Sequence, residues 1–364
     1  MGKIKVIFFL TIISFCISSA KSYEISDLIK ILVEKNNTDS SFKYDDLIDN
    51  KNLQNADTIY IPQIDYSYNF SNSTTSTNTT NTLNSHTNTI SATLNLYNGG
   101  FSQLNLLTTK TRNQAYDYLR HYQKELLIKE LINGYNNLQG LIIKKGNQEQ
   151  NLEFYKKKVQ EAEILFQANR ITKMDLLDFQ NELINAESLL YDYDRQIDNL
   201  MLQVNKLLDL EITDEDVNFS FSIIIPNQLI EKKIFSELMN SSYGNYLSYL
   251  EKTYVPELEM SKKELLPSVD LSYSLSDTDK FSSSVKHRRS SALSLTMTIP
   301  IYDGYKDENN FDVDKYEYQK KLLEQKDLKK DMLNTYLESW NNYDFYNLKI
   351  NNQNKIIETL TLKL

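Results

Sequence analysis

The chain has 364 residues, a formal net charge of −9 and an isoelectric point near 5.1. With no concentrated basic face, that acidic balance excludes a nucleic-acid ligand, which needs cations set against phosphates. Eight glycines and five prolines are few for this length and suit long uninterrupted elements.

Met1 to Ala20 carries Lys3 and Lys5, an apolar run from Val6 to Ile17, and then Ser18-Ser19-Ala20. This is the order of a secretory signal with cleavage after Ala20. The run is shorter than the roughly 20 residues that span a bilayer as a helix. Cys16, the only cysteine, lies inside it, so no disulfide is expected. No other stretch approaches about 18 consecutive apolar residues, so a membrane could be entered only as a β-barrel.

From Tyr23 to Tyr60 the pattern is of one or two short helices (Ile25, Leu28, Ile29, Leu32, Val33; then Tyr44, Leu47, Ile48), broken at Asn36-Asn37-Thr38-Asp39 and ended by Pro62. Ile64, Tyr66, Tyr68 and Phe70 then alternate with Asp65, Ser67 and Asn69, which predicts a strand. A polar Ser/Thr/Asn tract over 71–86 reads as the loop of a β-hairpin spanning 62–97. Its second strand carries Ile90, Ala92, Leu94 and Leu96 and leads into Tyr97-Asn98-Gly99-Gly100. The polar partners are small, and the aromatics gather near one end as in an interfacial girdle.

Residues 101–210 read as a long helical hairpin. The outgoing helix carries Ile128, Leu131, Tyr135, Leu138 and Ile142, then Leu152, Tyr155, Val159, Ala162 and Phe166, at 3-4-3-4 spacing. At its tip Asn169 can take the left-handed conformation that closes a helix, followed by Arg170 and Ile171. Thr172 and Asp175 give the next helix a capping-box start. The return helix runs through Leu177, Leu183, Ile184, Leu190, Ile197, Leu200, Val204 and Leu207. Residues 211–233 form a connector.

The order then repeats over 234–364: a helix broken at Pro256, a β-hairpin over 267–302, and a helix over 305–364. In the second hairpin Val269, Leu271, Tyr273 and Leu275 form one strand, 276–289 a polar loop, and Leu293, Leu295, Met297 and Ile299 the other strand, ending at Tyr302-Asp303-Gly304. A shift of 205 residues, the separation of Gly99 from Gly304, lays Pro62, Asp65, Ser67, Tyr68 and Tyr97 on identical residues, and Asn136-Asn137 on Asn341-Asn342. This is an internal repeat, with the first copy over 21–210. By the same shift Leu364 matches Val159, so the second helical hairpin is expected to lack its tip and return helix.

No residues point to catalysis, a cofactor or a metal. His86, His121 and His287 lie at no ligand spacing, and neither a Walker loop nor a nucleophile elbow is present. His287-Arg288-Arg289 reads as a solubilising basic group, with contact to anionic lipopolysaccharide as the alternative.

The junctions Ile61-Pro62-Gln63-Ile64-Asp65, Leu96-Tyr97-Asn98-Gly99-Gly100, Leu266-Pro267-Ser268-Val269-Asp270 and Ile301-Tyr302-Asp303-Gly304, with the tip 169–177, give the chain an order that resembles the TolC-like outer-membrane efflux protein family. The resemblance implies a mainly α fold with membrane β-strands: a homotrimer in which each copy gives four strands to a 12-stranded barrel and its helices to a periplasmic tunnel. It also implies a passive, non-enzymatic duct in the outer membrane of a Gram-negative bacterium, serving a tripartite efflux pump or type I secretion system. The expected partners are a periplasmic adaptor docking at Asn169, Arg170, Ile171, Thr172 and Asp175, an inner-membrane transporter, and outer-membrane lipid around the barrel strands. Part of this follows without the resemblance. Four strands cannot close a barrel, which needs about eight, so several copies must pool them. The rival readings are a coiled-coil interaction protein or non-channel remnant, and a periplasmic adaptor.

Overall fold

A computed structural model describes residues 23–35, 37–76, 80–213, 231–263, 266–280 and 287–362. The expected signal segment and most of the connector lie outside these residues. The element order is α1 (Ile25–Lys35), α2 (Asn37–Ala56), β1 (Gln63–Ser76), β2 (Thr80–Asn98), α3 (Phe101–Gln167), α4 (Lys173–Leu208), α5 (Glu231–Met239), α6 (Ser242–Lys263), β3 (Ser268–Lys280), β4 (His287–Thr298) and α7 (Lys306–Thr361). Two compact units divide the chain: Met1–Phe42 with Gln123–Pro226, and Lys43–Tyr122 with Asn227–Leu364.

In the first unit the heptad residues of α3 meet those of α4. Leu131, Tyr135 and Leu138 bury against Ile197, Met201, Val204 and Leu208, with Leu28 and Leu32 of α1 completing the cluster. Gly134 allows the close approach: a Cβ there would stand 3.2 Å from Val204 Cγ2. Beyond Leu208 the Asn205 side chain fixes the exit of the chain, its Nδ2 donating to the Ile212 carbonyl at 2.9 Å and its Oδ1 accepting from the Ile212 N–H at 3.2 Å. Nearer the tip, Ala186 is buried while Ile184 is exposed; a small side chain lets the helices close, and Gln148 Nε2 reaches the Ala186 carbonyl at 3.0 Å. Leu138→Ala is expected to cost about 2–5 kcal/mol, the usual penalty of a core cavity. The exposed Ile143→Ala should cost under about 0.5 kcal/mol. Urea titration of the purified protein, followed by helical circular dichroism, checks the contrast.

In the second unit α6 is continuous through Pro256, where the sequence predicts a break. The missing N–H and the ring of an internal proline disfavour a helix, but α6 is anchored on both sides of it. Glu251 accepts from Lys329 at 2.6 Å, and Glu257 accepts from Arg112 at 2.6 Å and Lys321 at 2.8 Å. Tertiary ion pairs override the local preference. Tyr118 stacks on Tyr249 and Tyr122 packs on Tyr243 in the same unit. Burial pushes the Tyr254 hydroxyl up to about 12, reinforced by Tyr246 and Glu257.

Burial alone would raise Glu257, but hydrogen bonds from Lys321 and Arg112 outweigh it and hold the carboxyl below its ordinary value. A depressed folded-state pKa stabilises above the unfolded value, and the contribution is lost as pH falls through the folded one. Acidification below the usual Glu range should therefore weaken the contact of α6 with α7. Glu257→Gln should flatten that acid limb, as thermal melts across the acid range would show.

Candidate functional site

The four strands form one antiparallel sheet in the order β1-β2-β3-β4. Two differences from the sequence reading follow. The tracts 71–86 and 276–289, expected as loops, are largely strand: β1 runs to Ser76, β2 starts at Thr80, β3 ends at Lys280 and β4 begins at His287. Threonine is a good strand former, and here it pairs across the ladder. The two hairpins are also joined through β2 and β3, where Thr87 meets Thr278 at 3.1 Å, Thr89 meets Ser276 at 3.0 Å and Asn95 donates to Asp270 at 2.8 Å.

The register sorts the side chains onto two faces. Six cross-strand rows make up one of them. They are Phe70-His86-Asp279-His287, Tyr68-Asn88-Asp277-Arg289, Tyr66-Ile90-Leu275-Ser291, Ile64-Ala92-Tyr273-Leu293, Leu94-Leu271-Leu295 and Tyr97-Val269-Met297. The opposite face presents Asp65, Ser67, Ser91, Ser272, Ser274, Ser294 and Thr296. The first face is therefore apolar over most of its height and polar at one end, where His287 lies 2.8 Å from Asp279 and 3.2 Å from Asp277.

Among the described residues nothing covers most of the apolar face. Ile64 is 71% exposed, Leu295 68% and Met297 60%, and Tyr66, Tyr68, Phe70, Ile90 and Tyr273 are also open. No described strand pairs with the outer edges of β1 and β4. Two of the expected strand residues sit differently. Leu96 is the extra residue of a β-bulge between Asn95 and Tyr97, so Tyr97 takes the place opposite Val269. Ile299 lies just past the end of β4. Leu275, Leu293 and Tyr97 belong to the apolar face too; alternation with serines and threonines marks the first two, and only the bulge brings Tyr97 there.

At the strand-to-helix junctions Gly99, Gly100 and Gly304 all have positive φ, at 69°, 86° and 78°, a region other residues rarely enter. The N-terminus of α7 is covered by Asp303, which accepts from the Lys306 and Asp307 N–H groups at 3.1 and 2.7 Å.

The helical tip closes with a Schellman motif. Asn169 has φ 57°, the Arg170 N–H bonds the Leu165 carbonyl at 2.8 Å and the Asn169 N–H bonds the Phe166 carbonyl at 2.9 Å. Thr172 then caps α4 in a reciprocal box with Asp175. Those hydrogen bonds, side chain first, hold the Asp175 carboxyl below its ordinary range. Around the tip Ile164, Leu165, Phe166, Met174 and Leu177 are exposed. The tip residues thus lie together, far along the chain from the sheet. Among the described residues no three His, Cys, Asp or Glu side chains are placed to hold a metal ion, and no helix is long and apolar enough to cross a membrane.

A duplicated β-hairpin feeding long helices defines a TolC-like fold. The outer membrane efflux protein family matches residues 49–208. Solved structures share the fold over more of the chain. The Campylobacter jejuni CmeC outer membrane channel is 13% identical, with a TM-score of 0.67 over 84% of this chain and 67% of that one. VceC, an outer membrane protein of Vibrio cholerae, is 13% identical with a TM-score of 0.65, over 85% and 76%. The open state of the Neisseria gonorrhoeae MtrE outer membrane channel is 15% identical with a TM-score of 0.64, over 84% and 70%. No curated protein matches the sequence. The family model thus covers much of the first repeat, and the likeness of fold to the solved structures continues through the second.

Proposed function

We propose that the chain is one subunit of a passive export duct in the outer membrane of a Gram-negative bacterium. Three copies pool four strands each into a 12-stranded barrel. The observation that carries this reading is the bare apolar sheet face bounded by two unpaired strand edges. In water none of the described residues covers that face, and in lipid open edges cannot persist because their N–H and C=O groups find no partner. Closure by identical copies removes both costs. The Ser/Thr face then lines an aqueous lumen, and no chemical step is needed.

The helical hairpin extends this duct into the periplasm, and its tip at Asn169–Asp175 is the docking point for an adaptor that couples it to an inner-membrane transporter. Exposed apolar side chains beside a rigid capped turn suit such a contact. The match of residues 49–208 to the outer membrane efflux protein family supports an efflux role, and the solved structures named above support the fold. Fractionation of cells making the full chain tests the proposal. A heat-modifiable trimer in the outer membrane that conducts ions in planar bilayers is expected, whereas a soluble monomer would overturn it.

A further inference from the structure

We infer that β4 of one copy pairs with β1 of the next so that Leu293 lies opposite Phe70, Leu295 opposite Tyr68 and Met297 opposite Tyr66. This rests on the reading of the sheet as one sector of a wall closed by copies, and goes beyond it by fixing which residues meet at the seam.

The register comes from a drift in the apolar band. On β1 the apolar residues fill the four rows from Phe70 to Ile64. On β2 and β3 they begin two rows further along, at Ile90 and Leu275, and on β4 a row further still, at Leu293. A band that lies flat in a bilayer but climbs across the rows means that the strands are tilted. Within a protomer the climb from Phe70 to Leu293 is six residues over three strand steps, about two residues per strand. At ~3.4 Å per residue and ~4.8 Å between strands that alone would tilt them by about 55°, steeper than the ~35–45° of membrane barrels, so the climb has to slacken at the seam.

When the apolar bands of β4 and of the neighbour's β1 start level at the seam, β1 of the neighbour stands six residues out of step with the rows inside a protomer, and the mean climb falls to about 1.5 residues per strand, a tilt of about 47°. The step must be even, because an odd one would turn the apolar side chains of one copy to the polar face of the other. A step of four would set Phe70 against Ser291 and break the band. A step of eight would set Asn72 against Leu293, run the start of β4 past Ser76, and steepen the tilt to about 55°. With six, each apolar residue of β4 meets an apolar or aromatic one, and all of β4 pairs within β1, at residues 65–76.

Cysteine pairs read the register directly. In a Cys16→Ser background, Leu295→Cys is combined with Tyr66→Cys, Tyr68→Cys or Phe70→Cys, and membranes from cells making the full chain are oxidised. β1 and β4 of one protomer stand about 14 Å apart, three strand spacings, so a disulfide can form only between copies. A same-face neighbour is displaced by ~7 Å along the strand, which takes its Cα beyond bridging distance. The Tyr68 pair is therefore expected to yield covalent trimer at least ~5-fold faster than the other two. Fastest bonding at Tyr66 or Phe70 overturns the register, and so does bonding in none of the pairs. Glutaraldehyde treatment of the same membranes separates the causes. Trimers without the expected disulfide leave the closed wall standing and sink only the register; monomers sink the wall with it.

Discussion

Leu295→Arg is expected to keep the chain out of the outer membrane, while Ser294→Arg, one residue away, leaves it there. Leu295 is on the bare apolar face and Ser294 on the polar one. An arginine facing lipid near mid-bilayer costs about 2–4 kcal/mol in each copy, and a closed ring of copies bears that cost once per subunit. On a water-exposed surface the same change would be worth within about 0.5 kcal/mol. The pair of variants therefore separates the two environments. Heat-modifiable trimer in membrane fractions should fall sharply for Leu295→Arg alone, and equal behaviour of the two would count against lipid on that face.

Gly99→Ala is expected to cost far more than Gly304→Ala, although the repeat makes them equivalent. Both glycines hold a left-handed backbone, for which an L-residue gives up about 1–2 kcal/mol. Only Gly99 is also crowded: a Cβ there would stand 2.9 Å from Leu266 Cβ and 3.1 Å from the Lys263 carbonyl, whereas nothing lies within 4 Å at Gly304. Forced overpacking adds about 1–3 kcal/mol, so Gly99→Ala should lose about 2–5 kcal/mol in all. The temperature at which purified trimer dissociates would rank the two; equal shifts would mean that Leu266 yields freely.

The features that local chemistry decides could be read from the sequence. Ile64 to Phe70 alternate because one side of that strand is apolar, and Asn169 with Thr172 and Asp175 mark the tip because few residues tolerate the left-handed turn and the cap. The heptads of α3 and α4 name much of what buries, Leu131, Tyr135, Leu138, Ile197 and Val204 among it, while Phe166, Leu177 and Ile184 of the same pattern are exposed. Features decided by distant partners could not be read. Ser276 and Thr278 read as loop until Thr89 and Thr87 are placed opposite them, and Pro256 reads as a helix end until Arg112, Lys321 and Lys329 are seen to hold α6. The bulge at Leu96 moves Tyr97 onto the apolar face, a change that a strict two-residue alternation hides. Joining the two hairpins through β2 and β3 leaves no local trace, since those strands are far apart in the chain.

In the proposed duct one face of this sheet meets lipid and the other meets water. Nitroxide labels at Leu271→Cys and Ser272→Cys, neighbours on the central strand β3, test it in native outer membranes, with Cys16 replaced by serine. The label at 271 should collide freely with dissolved oxygen and be shielded from a water-soluble nickel chelate, and the label at 272 should behave the opposite way. Equal exposure of both to the chelate, or a label at 271 shielded from oxygen and chelate alike, would contradict a sheet set between lipid and a water-filled lumen.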